Sequence, residues 1–212
     1  MIVDSPAPQN PPDGWRADAT ADDRLSADVE AAQGGDEQAF RRLYRAVQPP
    51  LLRYLYGLVG DDAEDVAAEA WLQIARDLGG FRGDYTGFRR WAATIARNRA
   101  MDHARRMRRR PSVSVPVESL ERLADNADTA SLAVGAMSTA AALELVASLP
   151  RDQAEAVLLR AIMGLDARSA GEVLGKRPGA VRTAAHRGLR RLAAQLDRSA
   201  QDGPSGTGQA SG

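Results

Sequence analysis

The spacing of apolar residues predicts a helical chain. Between Val29 and Val47 they recur at helical spacing (Ala32, Ala39, Phe40, Leu43, Tyr44, Val47), broken once by the polar stretch GGDEQ. Pro49 and Pro50 then predict a stop, because proline has no N–H to donate and its ring crowds the preceding turn. Leu51 to Val59 accordingly reads as a separate helix. Asp61 or Asp62 can cap a third, whose buried stripe is Ala63, Val66, Ala67, Ala70, Trp71 and Ile74. A fourth starts near Gly87 and runs to about Arg109, burying Phe88, Trp91, Ala92, Ile95 and Ala96, with Met101 farther along. The expected product is a bundle of three to four helices over residues 26–110.

A second helical block spans residues 140–197. Within it, DARSAGEVLGKRPGAVRTAAHRGLRRL has the pattern of a helix-turn-helix. A short helix from Ala167 to Leu174 meets a turn at Gly175, and Pro178 opens the next helix, where its missing N–H costs nothing. That helix is expected to bury Val181, Ala185, Leu189 and Leu192 and to leave Arg182, Thr183, His186, Arg187 and Arg190 on the opposite face. Such a face suits a recognition helix, whose early exposed residues reach base edges while others grip phosphates. An ordinary helical hairpin is the plainer alternative.

Residues 1–25 and the tail 198–212 hold too few large apolar side chains to offset the entropy of ordering and are expected to be disordered. Residues 111–139, with Pro111, Pro116 and a run of carboxylates, read as a flexible linker. The expected fold class is all-α: two small helical domains joined by an acidic linker.

Charge changes the picture. The 212 residues carry 28 basic and 28 acidic side chains, yet the distribution is segregated. The net count is −7 over residues 1–40, +8 over 89–110, −5 over 111–155 and +5 over 166–198. Two basic blocks separated by an acidic one suit a polyanion touched at two places, since basic residues displace the counterions condensed on phosphates, whereas either block alone reads more simply as a solvated helix face. On the third helix, Asp62, Glu64, Asp65 and Glu69 lie one to two turns apart, opposite the core stripe. They can form an acidic rim for a basic partner, or simply complement the helix N-terminus.

No cysteine is present, which removes disulfides and thiolate metal sites. No apolar run reaches the ~18 residues of a membrane span, and the acidic, proline-rich start is unlike a signal peptide, so a soluble cytoplasmic protein without membrane insertion is expected. His103 and His186 are the only histidines, both flanked by arginines, with no metal-ligand spacing and no glycine-rich phosphate loop. Neither a cofactor nor a metal nor an enzyme activity is expected.

Four stretches, GDEQAFRRLYRAVQPPLLRYL, DDAEDVAAEAWLQIARDL, FRGDYTGFRRWAATIARNRAMDHARRMRRR and the helix-turn-helix block from Leu149, resemble extracytoplasmic-function sigma factors of the sigma-70 family in order, spacing and type. The resemblance covers about residues 26–196. It implies a region 2-like domain and a region 4-like domain that bind core RNA polymerase and recognise the promoter −10 and −35 elements. It assigns Asp62, Glu64, Asp65 and Glu69 to the polymerase surface, with one departure: Ala68 stands where the family usually has glutamine.

The same resemblance places Arg97, Asn98, Arg99 and Arg105 along DNA near the −10 element. The loop carrying Phe81, Arg82, Asp84, Tyr85 and Thr86 would hold an extruded base, by stacking and by hydrogen bonds to its Watson–Crick edge. Trp91 suits either the core or a stacking contact. Arg177, Arg182, Thr183, His186, Arg187 and Arg190 would serve the −35 element. An anti-sigma protein is an implied partner, and the acidic arm and linker are expected to cover the arginines while polymerase is absent. The competing reading is a helix-turn-helix regulator that acts without being a polymerase subunit.

Overall fold

Seven residues (Ala39, Leu43, Val47, Leu51, Tyr54, Leu55, Tyr56) are buried along a single helix, α2, Glu37–Val59. In this computed structural model, which describes residues 14–109 and 139–201, that helix passes straight through Pro49 and Pro50. The expected break is absent for a physical reason. Each proline forfeits one backbone bond and costs ~3 kcal/mol, but the helix buries side chains before and after them that are worth ~1.5–3 kcal/mol each. Pro49 and Arg45, whose carbonyl loses its partner, face solvent, where water can bond that oxygen. Asp36 starts the helix by accepting from Gln38 N at 2.7 Å and Ala39 N at 3.1 Å.

Helix α1, Gly14–Gln33, precedes α2 and begins inside the segment expected to be disordered. Its inner half is tied down. Leu25 packs on the core, Val29 is fully buried, and Ser26 Oγ accepts from Tyr85 N at 3.1 Å. Helix α3, Ala63–Asp77, buries the stripe expected of it. Helix α4, Tyr85–Arg109, starts two residues before Gly87 because Asp84 Oδ1 accepts from Gly87 N at 2.7 Å and so caps it.

The second block comprises α5, Thr139–Ala147; α6, Arg151–Val157, continued by a π-helical turn at Leu158–Ile162; α7, Ala167–Leu174; and α8, Pro178–Gln201. Asp166 caps α7 by accepting from Ser169 N at 2.6 Å. Gly175 closes it with φ 65°, a left-handed conformation that any Cβ would strain. Pro178 then opens α8, so the expected helix-turn-helix is present. No strand occurs among the described residues. Most of the linker, the first 13 residues and residues 202–212 lie outside the described residues.

The two blocks pack on each other. One apolar core runs from Val29 through Tyr54, Phe88 and Ala96 to Leu158, Leu159, Met163 and Val181. A small satellite of Leu149, Ala154 and Val157 sits under α8 with Val146 and Leu192.

Candidate nucleic-acid interface

The acidic rim divides in two. Asp62 occupies the N-cap position of α3 but makes no capping bond; its Oδ2 lies 2.9 Å from His103 Nε2 of α4. Glu69 is likewise held by α4, at 3.2 Å from Arg106 Nη2. Glu64 and Asp65 face solvent with no ion pair among the described residues. Leu72, 72% exposed, follows Asp65 by seven positions and Glu69 by three, so it continues their stripe. The sequence reading missed Leu72; its signal was an apolar residue one step out of phase with Trp71 and Ile74. Ala68 is exposed beside Glu69.

In the loop before α4, the polar and aromatic residues go to different places. Arg82, Asp84 and Thr86 are exposed, whereas Phe81 and Tyr85 are buried. Phe81 stacks on half-buried Trp91, with ring centroids 5.1 Å apart, and meets Phe88 edge-on. These three rings form a wall behind the loop, and Trp91 belongs to it. Burial pushes the Tyr85 hydroxyl above its ordinary range, and the Arg89 guanidinium lies 5.1 Å from its ring centroid. Two of the residues expected as stacking plates therefore line the floor. Arg82 is committed locally, donating to Gly79 O at 3.0 Å and Phe81 O at 2.6 Å.

The basic face of α4 is also partly occupied. Arg99 donates twice to Gln73 Oε1 of α3, at 3.0 and 2.8 Å. Arg97 donates through Nε to Glu155 Oε2 of α6 at 2.8 Å. Asn98 and Arg105 are exposed, Arg105 paired with Asp102 at 3.2 Å. Glu155 and Glu172 are further participants that the sequence did not single out. Glu172 of α7 meets Arg90 of α4 at 2.6 Å.

On α8, Arg182, Thr183, His186, Arg187 and Arg190 are all exposed, as is Arg177 in the preceding turn. The Thr183 hydroxyl donates to Gly179 O at 3.0 Å. One core assignment fails. Leu189 is 52% exposed and lines an open groove of about 360 Å³ with Val157, Arg160, Arg182 and His186. Its place in the helix stripe is taken by Gly188, where a Cβ would fall 2.8 Å from Val157 Cγ2. Among the described residues no group of His, Cys, Asp or Glu is arranged to hold a metal, and no helix is long and apolar enough to cross a membrane.

The sigma-70 region 2 family model matches residues 43–110, and the sigma-70 region 4 model matches residues 139–192. The chain is 36% identical over 179 residues to the ECF RNA polymerase sigma factor BldN of Streptomyces coelicolor, covering 82% of this chain and 66% of that protein. It is equally similar, 36% over 179 residues, to the ECF RNA polymerase sigma factor ShbA of Streptomyces griseus, covering 80% of this chain and 94% of that protein. The fold is shared with the sigma factor RpoE of Bartonella quintana, solved with the anti-sigma factor NepR. The TM-score is 0.57 at 21% identity, over 74% of this chain and 96% of that one. The two matched regions, in this order, and the two relatives at 36% identity lead to one family: the chain belongs to the extracytoplasmic-function RNA polymerase sigma factors of the sigma-70 family.

Proposed function

We propose that residues 26–110 dock on core RNA polymerase and engage the −10 element, while residues 140–197 read the −35 element. The observation that carries this reading is the exposed face of α8, where Arg182, Thr183, His186 and Arg187 project from the first turns of a helix set by a helix-turn-helix. Arg182 and Arg187 are suited to guanine edges, the Thr183 methyl to a thymine methyl, and Arg177 and Arg190 to flanking phosphates. On the polymerase side, Glu64 and Asp65 give the charge that attracts a basic partner, and Leu72 gives apolar area at the centre of the patch.

Near the −10 element, Asn98 and Arg105 are open to solvent, and Arg82, Asp84 and Thr86 ring the mouth of the loop. Phe81, Phe88 and half-buried Trp91 form the aromatic wall behind this loop, and Arg97 and Arg99 join, Arg97 once released from its protein partner. The chain makes no bond itself; polymerase does the chemistry, and the chain works inside the cell where promoter DNA is. An anti-sigma protein is its natural antagonist, a reading supported by the NepR complex of RpoE. The test is promoter-dependent transcription with added core polymerase, which a regulator acting without polymerase would not direct.

A further inference from the structure

We propose that Gln73 of α3 is a positioning residue for the −10 surface: it holds Arg99 of α4 in the pose that meets DNA and leaves the arginine's charge uncompensated. The proposal deepens the reading of α4 as that surface and rests on it. The two side chains meet across a packed helix pair. Their chain neighbours Ile74 and Ala100 are fully buried, so the contact between α3 and α4 fixes where each side chain starts. From there Gln73 Oε1 accepts from Arg99 Nε at 3.0 Å and from Arg99 Nη2 at 2.8 Å.

Two bonds to one oxygen fix the direction of the guanidinium, where a single bond would let it pivot. A guanidinium carries five N–H donors, and this edge uses two of them. The other three, both on Nη1 and one on Nη2, have no polar partner among the described residues. They make up the terminal fork that binds a phosphate or a guanine edge in bidentate fashion. Arg99 can therefore reach DNA with one edge while Gln73 keeps the other.

The neutrality of the acceptor sets Arg99 apart from its neighbours. On α4, Arg90, Arg97, Arg105 and Arg106 each lie on a carboxylate, of Glu172, Glu155, Asp102 and Glu69 respectively, and Asp22 is the anion beside Arg89. Such a pair shows DNA a dipole, and the carboxylate has to be left before a phosphate gains the contact. An amide oxygen cancels no charge. Arg108 and Arg109 are exposed without an ion pair among the described residues, so they are cationic but not ordered. Arg99 alone among the described α4 arginines is both held and fully cationic. Immobilising a long side chain at an interface costs affinity. For Arg99, Gln73 has already done this in the folded chain.

The experiment assembles core polymerase with saturating full-length chain, parent or variant. The probe is a fluorescein-labelled promoter fragment, recovered by chain-dependent transcription and mismatched over its −10 element. Affinity is read by anisotropy across a salt series, with core polymerase alone as background. Each phosphate contact to a single strand contributes about 0.7 to the slope of log affinity against log salt. Arg99→Ala should weaken binding about tenfold and flatten the slope by about that amount. Gln73→Glu keeps both bonds and adds the missing charge, so it should flatten the slope equally. Gln73→Ala keeps the charge and loses the pose, so binding should weaken about fivefold at an unchanged slope. In the Arg99→Ala background Gln73→Ala should do nothing further, which a merely structural contribution of Gln73 would not reproduce. Gln73→Ala that binds as tightly as the parent, an equal loss in both backgrounds, or a Gln73→Glu slope like the parent's overturns the proposal. If Asn98→Ala and Arg105→Ala weaken binding in that case, the reading of α4 stands and the role of Gln73 alone is lost. If those two and Arg99→Ala all bind like the parent, the reading of α4 fails and takes the proposal with it.

Discussion

Reversing Glu64 and Asp65 together to arginine perturbs the proposed polymerase surface where it is least entangled with the fold. Both carboxylates are exposed and unpaired among the described residues, unlike Asp62 and Glu69, which are held by His103 and Arg106. An exposed ion pair is worth ~0.2–1 kcal/mol. Each reversal removes one attraction and installs one repulsion of similar size, so two positions change binding by about four contributions of ~0.5 kcal/mol each. The expected loss is ~2 kcal/mol, or roughly 30-fold in Kd.

The same reversal places positive charge in the first turn of α3, where the helix dipole costs ~0.3–1 kcal/mol per residue. Circular dichroism and a thermal melt should accordingly show a helical chain that is slightly less stable. The assay is binding to core polymerase by fluorescence anisotropy at low and high salt. The mutational loss should shrink as the Debye length falls from ~10 Å at 0.1 M to ~3 Å at 1 M. Leu72→Ala is the contrast: it should weaken binding to a similar extent at both salt concentrations, because apolar contact is not screened. A doubly reversed chain that folds and binds core as tightly as the parent would refute the assignment of this face.

Further outcomes follow from α7 and α8. Arg182→Ala should relax base preference in a randomised −35 selection by ~1–3 kcal/mol at one position, whereas Arg190→Ala should lower affinity for every sequence alike. The Ser169 N–H bond holds the Asp166 carboxyl below its ordinary value of 3.8. Its capping contribution is therefore complete above that value and lost as pH falls through the lower folded one. Asp166→Ala should cost ~1 kcal/mol at pH 7 in urea denaturation. Asp166→Asn should retain the cap and remove the acid dependence.

Where a single helix decides its own geometry, the sequence was readable. The α3 stripe is buried as its spacing predicts, and the Gly175 and Pro178 punctuation places the turn and the start of α8. Failures occur where another element decides. Pro49 and Pro50 read as a break because local propensity ignores the seven side chains that α2 buries. Leu189 was assigned to the core by spacing, but the close approach of Gly188 to Val157 rotates it to the surface. Phe81 and Tyr85 carry the right chemistry for stacking, yet Phe88, Trp91 and Ser26 draw them inward.

The acidic arm and linker were expected to cover the arginines. Among the described residues, Asp22 of the arm lies 3.9 Å from Arg89, while Glu118, Glu121, Asp125 and Asp128 of the linker lie outside them. The carboxylates that reach α4 from the second block are Glu155 and Glu172. Neither was legible in advance, because nothing local to α6 or α7 says that α4 will lie against it.

The central claim is that this chain gives core polymerase its choice of promoter by using both surfaces at once. Its most direct test is run-off transcription from a genomic promoter library, with purified core polymerase and the full chain. Transcripts should start downstream of a shared two-part motif with a fixed spacer, and none should form without the chain. Changing either half of that motif should abolish them. Transcription that is independent of the chain, or that survives scrambling of the upstream half, would contradict the account.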